Sequence, residues 1–241
     1  MIVDRLLQRA KQLHLPNAMR QTIQEYLKSE QAYTLHKPAR RRFTRNHTYV
    51  AGIDAQWQAD LADMQGIARQ NSGMRCLITV IDVFSKLAWA VPVLSKDAKE
   101  ILLAFGKLLS AAHPRHSKRL QTEKGKELFN SDFQALMKSH GIQHFATESE
   151  LKAAVVKRFN RTIKTRIWTY LSDRGTLRWV NVIQDLVHAY NHSRHRTIGM
   201  APADVQTKDE DRLLVRLYVD GDTQLKPPIA LGAMGVLAGS K

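Results

Sequence analysis

The sequence predicts an α/β domain in which helices flank a mixed sheet of three antiparallel strands followed by parallel strands. Three observations support this prediction. Residues 50–95 contain short apolar, β-branched runs typical of strands. From residue 96 onward, stretches with helical periodicity alternate with short strand-like stretches. The resulting order, β-β-β-α-β-α-β-α, places helical crossovers between the later strands.

A small helical extension is predicted ahead of this domain, over residues 1–36. Apolar residues repeat at helical spacing up to Pro16, and a second helical pattern follows Asn17. Two such helices could form a DNA-binding module, although a simple helical hairpin is the more common arrangement. Residues 37–49 are predicted to be an exposed basic linker, suited to phosphate contacts or nuclear import.

The three antiparallel strands are predicted from "WQADLADM", "CLITVIDVFS" and "LAWAVPVL". Asp82 and Ser85 suit the hairpin turn between the second and third strands. Asp60 lies in the middle of the first strand, where a carboxylate must face solvent, pair with a partner or bind a cation. By position alone, a solvent-facing strand residue is the simplest interpretation of Asp60.

The remaining elements of the domain, which is predicted to span residues 50–207, follow in alternation. Helices are predicted over residues 96–112, 129–140, 151–168 and 179–190, and the strands between them are "RLQT" and "IQHFAT". Residues 208–241 are predicted to be a poorly ordered tail, because their end is small, apolar and Gly-rich.

Glu123 comes immediately after the strand "RLQT". Ligands of open α/β sheets collect at the carboxyl ends of strands. If the two strands are neighbours, Glu123 meets Asp60, and two adjacent carboxylates repel each other unless a cation neutralises them. Oxygen ligands of this kind suit Mg²⁺ or Mn²⁺. A loop ion pair with Lys124 is the alternative interpretation of Glu123.

The helix over residues 151–168 has an apolar stripe and a strongly basic face. Lys157, Arg161 and Lys164 share the basic face. Such a face can hold phosphates by charge. Taken by itself, a solvated helix face is the more common explanation.

The overall composition favours a polyanionic partner. The chain of 241 residues has a formal net charge of +15, for which nucleic acid is the usual partner. Solubility alone and an anionic membrane surface are the alternatives. The single cysteine excludes an intrachain disulfide framework and zinc sites built on paired cysteines. No membrane span or secretory signal is indicated, so we expect an intracellular protein without a membrane partner.

Five segments occur in order between residues 57 and 205 and together resemble the catalytic core of retroviral-type integrases. They are "WQADLADM", "CLITVIDVFSKLAWAVPV", "LQTEKGKELF", "KAAVVKRFNRTIKTRIW" and "YNHSRHRTIGMAPADV". The sequence looks most similar to integrases of Polinton/Maverick-like transposons and related retroelements. This resemblance implies a ribonuclease-H-like fold and DNA integration by an Asp-Asp-Glu triad that binds Mg²⁺ or Mn²⁺. It also implies a nuclear protein that binds DNA and forms a homodimer through the core.

The triad carries over only in part. The first metal ligand falls on Asp60, the second on Glu123, where the family has Asp, and the third on Lys157, where the family has Glu. At about 4 Å and an effective dielectric near 20, one charge pair contributes roughly 4 kcal/mol, so reversing the third charge should weaken metal binding strongly. Glu148 and Glu150 are weaker substitutes, because neither occupies the matching helical position.

We therefore expect a transposon-derived, nucleic-acid-binding protein with a degenerate active site. An active Mg²⁺-dependent integrase using Asp60 and Glu123 as metal ligands is one alternative, and a non-enzymatic oligomerisation scaffold is another. The resemblance also implies a β-barrel or chromodomain-like module after the core, whereas residues 208–241 show no strand pattern, as in a truncated or frameshifted copy. The residues predicted to bind nucleic acid are Lys124, Lys157, Arg161, Lys164, Arg40, Arg41 and Arg42.

Overall fold

The computed structural model describes residues 20–29, 48–146 and 153–218. The chain divides into two units, residues 1–45 and residues 46–241. In the first unit, helix α1 (Arg20–Ser29) corresponds to the second helical pattern of the predicted extension. The first predicted helix lies outside the described residues, as do Arg40, Arg41, Arg42 and most of the predicted linker.

The second unit is built on a five-stranded mixed sheet. Its strands are β1 (Trp57–Asp63), β2 (Cys76–Asp82), β3 (Ala88–Val93), β4 (Arg119–Thr122) and β5 (Gln143–Ala146). They lie in the order β3-β2-β1-β4-β5. The first three strands pair antiparallel, and β4 pairs parallel with both β1 and β5. The predicted fold class is therefore confirmed.

Among the described residues of this unit, two α-helices lie between the later strands and three follow the last strand. They are α2 (Ala98–Ala112), α3 (Ser131–Ser139), α4 (Ala154–Arg174), α5 (Ile183–Asn191) and α6 (Glu210–Tyr218). Helices α2 and α3 cover one face of the sheet, and α4 and α5 cover the other. Because both faces are covered, every residue of β2 is buried, and all of them except Thr79 and Asp82 are apolar.

Helices α4 and α5 differ in length from the prediction. The described part of α4 continues past residue 168 to Arg174 and ends at Gly175, which adopts a left-handed conformation with φ of 58°. Helix α5 begins at Ile183 rather than at residue 179. The amides of Trp179 and Val180 donate to the side chain of Asn71 instead, which holds the buried Trp179 against the core.

Helix α6 lies beyond residue 207, where the domain was predicted to end, and it packs against the sheet-bearing unit. Leu213 is buried in a cluster with Val50 and Phe84. The Glu210 carboxylate accepts a hydrogen bond from the amide of Ile53 at 2.8 Å. These contacts make residues 210–218 part of the folded domain, and residues 219–241 lie outside the described residues. Within the described ranges, no helix has the length and apolar character needed to cross a bilayer.

Candidate active-site rim

The parallel pairing of β1 and β4 brings the two predicted carboxylates together. Gln58 is in register with Gln121, so continuing the same register by two residues sets Asp60 opposite Glu123. Both residues therefore lie at the carboxyl-end edge of the sheet, where α/β folds place their ligands.

Helix α4 is fixed against this edge by a buried glutamine. The Gln58 Oε1 atom accepts hydrogen bonds from the amides of Val155 and Val156, at 3.0 and 3.1 Å. Helix α4 begins after Ala153 and has no capping side chain of its own, so Gln58 satisfies donors that would otherwise be unpaired. Gln58 Nε2 in turn donates to Gln121 Oε1 at 2.9 Å, which ties the start of the helix to both strands.

This anchoring brings Lys157 to the two carboxylates. The Lys157 ammonium forms an ion pair with Glu123 Oε1. Both side chains remain partly exposed, at 39% for Lys157 and 46% for Glu123. The three positions at which the sequence predicts a triad therefore converge at one edge of the sheet. Their assigned catalytic roles stay predictions.

A fourth side chain completes the arrangement, and the sequence analysis missed it. Asn160 lies one turn after Lys157 on α4, and its Nδ2 donates to Asp60 Oδ2 at 2.9 Å. The other Asp60 oxygen, Oδ1, accepts the amide of Leu61 at 2.9 Å. Asn160 is three residues after Lys157, and residues at this spacing share a helix face. That spacing is the signal that could have revealed Asn160.

The Asp60 carboxylate is held in a partly unfavourable environment. Burial is the largest influence and raises its pKa above the usual range, and the charge of Glu123 raises it further. The Leu61 amide, the Lys157 charge and the Asn160 amide act in the opposite direction without cancelling the rise. Burial therefore outweighs these three groups, and the ionised form of Asp60 is disfavoured overall.

Comparison with known proteins shows what the domain is similar to. Residues 53–150 match the model of the integrase core domain. The match covers β1 to β5 and includes Asp60 and Glu123, and the predicted resemblance to retroviral-type integrases is confirmed. The finer assignment to Polinton/Maverick-like elements stays a prediction.

The solved structures to which the chain is similar are integrase cores. The catalytic core of HTLV-2 integrase in complex with magnesium is 20% identical, with a TM-score of 0.54, covering 65% of this chain and 99% of that one. The core of BIV integrase is 18% identical, with a TM-score of 0.51, covering 66% of this chain and 97% of that one. An intasome of simian T-cell lymphotropic virus with the PP2A regulatory subunit B56 gamma gives 17% identity and a TM-score of 0.58, covering 98% of this chain and 80% of that one. At these identities, the likeness shows the fold alone.

One curated relative is a transposon-derived protein. A transposon-derived protein of Caenorhabditis elegans is 31% identical over 146 residues, which cover 61% of this chain. The chain spans about half the length of that relative, since the match covers 51% of it.

The side chains that converge at this edge of the sheet do not fit a divalent metal ion. The Glu123 oxygen faces the Lys157 ammonium, and both Asp60 oxygens accept hydrogen bonds from nitrogen. No cluster of three or more His, Cys, Asp or Glu side chains suited to a metal occurs in the described residues. Mg²⁺ requires several oxygen ligands in near-octahedral geometry. Glu148 and Glu150 lie outside the described residues.

Three further residues predicted to bind nucleic acid fall among the described residues. Arg161 is exposed and Lys164 is half-buried on α4, beyond Lys157 along the helix. Neither forms an ion pair with the described residues. Lys124 is exposed next to Glu123. The binding role of each residue stays a prediction.

Proposed function

We propose that this integrase-like domain binds DNA and does not carry out metal-dependent strand transfer. One observation carries the proposal, namely the ion pair of Lys157 with Glu123 at the edge of the sheet beside Asp60. An Asp-Asp-Glu triad would gather three negative charges there. This chain has two carboxylates and one ammonium instead, and its net charge at these three positions is −1 rather than −3.

Electrostatics argues against recruiting a metal ion to this arrangement. Two positive charges about 4 Å apart repel by roughly 4 kcal/mol at an effective dielectric near 20. Because Lys157 and Glu123 are partly exposed, solvent screening reduces this figure. Even half of it would weaken binding of a divalent ion by more than tenfold.

A lysine in place of the third carboxylate favours binding of a polyanion. Lys157 adds a cation to a helix face that already carries Arg161 and Lys164, in a chain with a net charge of +15. Phosphate contacts from lysine and arginine release condensed counterions, so they bind DNA without sequence readout and with a steep dependence on salt. Residence in the nucleus belongs to the same proposal, because that is where such a protein meets chromosomal DNA.

DNA binding measured by fluorescence anisotropy, with the full-length chain and a labelled duplex, tests the proposal. We expect the logarithm of the affinity to fall by about 0.9 per phosphate contact for each tenfold increase in salt, between about 50 and 200 mM. Replacing Mg²⁺ with EDTA should leave the affinity unchanged, and Asp60→Asn should not weaken it. Absence of binding would contradict the proposal.

A strand-joining assay in Mn²⁺ separates the proposal from the active-enzyme alternative. We expect the unaltered chain to join no DNA ends. Joining that Asp60→Asn abolishes would establish the alternative, in which Asp60 and Glu123 serve as metal ligands.

Self-association through the core is a second part of the proposal. It is supported by the HTLV-2 integrase core, whose structures include a dimeric and a trimeric form. Sedimentation equilibrium of the full-length chain should give a dimer mass. A monomer at all concentrations would contradict this part and the scaffold alternative, but not DNA binding.

A further inference from the structure

The basic face of α4 continues into an exposed tryptophan. Lys157, Arg161, Lys164 and Trp168 are separated by four, three and four residues. At about 100° per residue, all four fall within an arc of about 60° on one side of the helix. The row is about 16 Å long at 1.5 Å per residue, with three cations followed by one indole.

Trp168 is more exposed than the other three tryptophans of the chain. It is 48% exposed, whereas Trp89 is half-buried and Trp57 and Trp179 are almost completely buried. No aromatic ring or cation stacks on its indole among the described residues. Exposing the indole to solvent costs free energy, because its ring is large and mostly apolar.

The polar neighbours of Trp168 on the helix are already engaged. The hydroxyls of Thr165 and Thr169 donate to the carbonyls of Arg161 and Thr165, at 2.8 and 2.9 Å. They therefore do not compete for a ligand lying on the indole. Arg161 and Lys164 form no ion pair within the described part of the chain, so both remain available to an anion.

We propose that Trp168 is a stacking platform for an unpaired base of DNA whose phosphates lie along Lys157, Arg161 and Lys164. This inference rests on the proposed function, since it names the form of DNA that the basic face prefers. Single-stranded DNA offers both chemistries in the required order, phosphates for the cations and a π-face for the indole. A base within a duplex is covered by its neighbours on both sides, so only an unpaired base can stack on Trp168. The charge of the row disfavours an apolar protein partner.

Comparing the affinities of the chain for two forms of DNA tests this inference. Anisotropy is measured with a blunt duplex and with a single strand of the same length, for the unaltered chain, Trp168→Ala and Trp168→Phe. We expect Trp168→Ala to weaken single-strand binding by about 5- to 150-fold, the range of one base–aromatic stack, and to change duplex binding less than twofold. Trp168→Phe should restore most of the loss. Leu103→Ala, at an exposed apolar position of α2, is the matched control and should change neither affinity.

A second readout distinguishes stacking from charge. Arg161→Gln should reduce the salt slope by about one unit, whereas Trp168→Ala should leave the slope unchanged. Quenching of tryptophan emission by the single strand should be largely lost in Trp168→Phe, because Trp168 is the most exposed of the four tryptophans.

Different results would overturn the proposed DNA binding and the proposed stacking on Trp168. If the unaltered chain binds neither form of DNA, the proposed function fails. If it binds duplex and single strand but Trp168→Ala affects both equally or neither, only the stacking platform is overturned. A change in sedimentation mass caused by Trp168→Ala would identify the indole as a protein contact and would also overturn it.

Discussion

Two clusters of acidic and basic side chains lie beside the start and the middle of β1, and they use similar chemistry for different purposes. The first, called the buried cluster, consists of Asp54, Asp82, Ser85 and Arg115. The second, called the rim cluster, consists of Asp60, Glu123, Lys157 and Asn160. Each contains two carboxylates and one cation.

The buried cluster is closed on itself. Arg115 donates to both oxygens of Asp54 at 2.6 and 2.9 Å and to Asp82 at 3.1 Å. Asp82 is fully buried and also accepts the amide and the hydroxyl of Ser85, at 3.0 and 2.5 Å. These bonds fix the β2–β3 turn, as Asp82 and Ser85 were predicted to do, and leave the carboxylates no capacity for a ligand.

The rim cluster is open by comparison. A single ammonium pairs with a single oxygen of Glu123, and both partners are more than a third exposed. The difference teaches that burial, rather than the number of charges, decides whether such a cluster supports the fold or sets the charge of a binding surface.

The largest expected effect is therefore in the buried cluster. Arg115→Met leaves two carboxylates unpaired at a site where Asp82 has no access to water, and should lower the free energy of unfolding by about 3–5 kcal/mol. Arg174→Met is the matched control, since the Arg174–Asp173 pair is mostly exposed and should contribute less than about 1 kcal/mol. Urea denaturation of both variants measures this. Equal effects would show that burial does not separate the two kinds of pair.

A smaller effect on stability is expected from His195, whose imidazole is partly buried and has no negatively charged partner among the described residues. Burial lowers the pKa of His195 to about 4, and the charges of Lys86, Arg158 and Arg196 contribute in the same direction. Between that value and its ordinary pKa of 6.5, the unfolded chain binds more protons than the folded one, so stability falls as pH falls through this window.

Urea denaturation at pH 7 and pH 4.5 measures this contribution. We expect the unaltered chain to lose up to about 2 kcal/mol from His195 over this range, and His195→Asn to lose correspondingly less. An identical pH dependence in both proteins would show that His195 is not held neutral by its surroundings.

The smallest effect on stability is expected from Lys157 itself. Lys157→Met should change the free energy of unfolding by less than about 1 kcal/mol, because the pair with Glu123 is partly exposed. The same substitution removes a charge that lowers the pKa of Asp60, so that pKa should rise further. NMR titration of the Asp60 carboxyl measures the shift, and Lys164→Met serves as the control. An unchanged Asp60 pKa would mean that Lys157 does not influence the rim.

The sequence was sufficient for those parts of the molecule that depend on periodicity and chain order. The chain order predicted the mixed sheet, and it predicted that Asp60 meets Glu123 if their strands are neighbours, as β1 and β4 are. Family resemblance predicted that Lys157 occupies the third triad position. In the structure, Lys157 lies beside Glu123.

What the sequence did not reveal depends on contacts between distant residues. Gln58 caps a helix that begins almost a hundred residues later, and no local pattern marks a strand glutamine for that role. Asn160 resembles any polar residue on a helix until β1 is packed beside it. Helix α6 was missed because its short apolar pattern precedes a Gly-rich end that dominated the composition.

Calorimetric titration with Mn²⁺ tests the central claim most directly, that the Lys157 ammonium takes the place of a metal ion at the rim. It compares the unaltered chain, Lys157→Glu combined with Glu123→Asp, and the same pair of substitutions with Asp60→Asn. We predict no binding at the rim of the unaltered chain, binding in the double variant, and loss of that binding when Asp60 is also replaced. Mn²⁺ binding by the unaltered chain that Asp60→Asn abolishes would contradict the account.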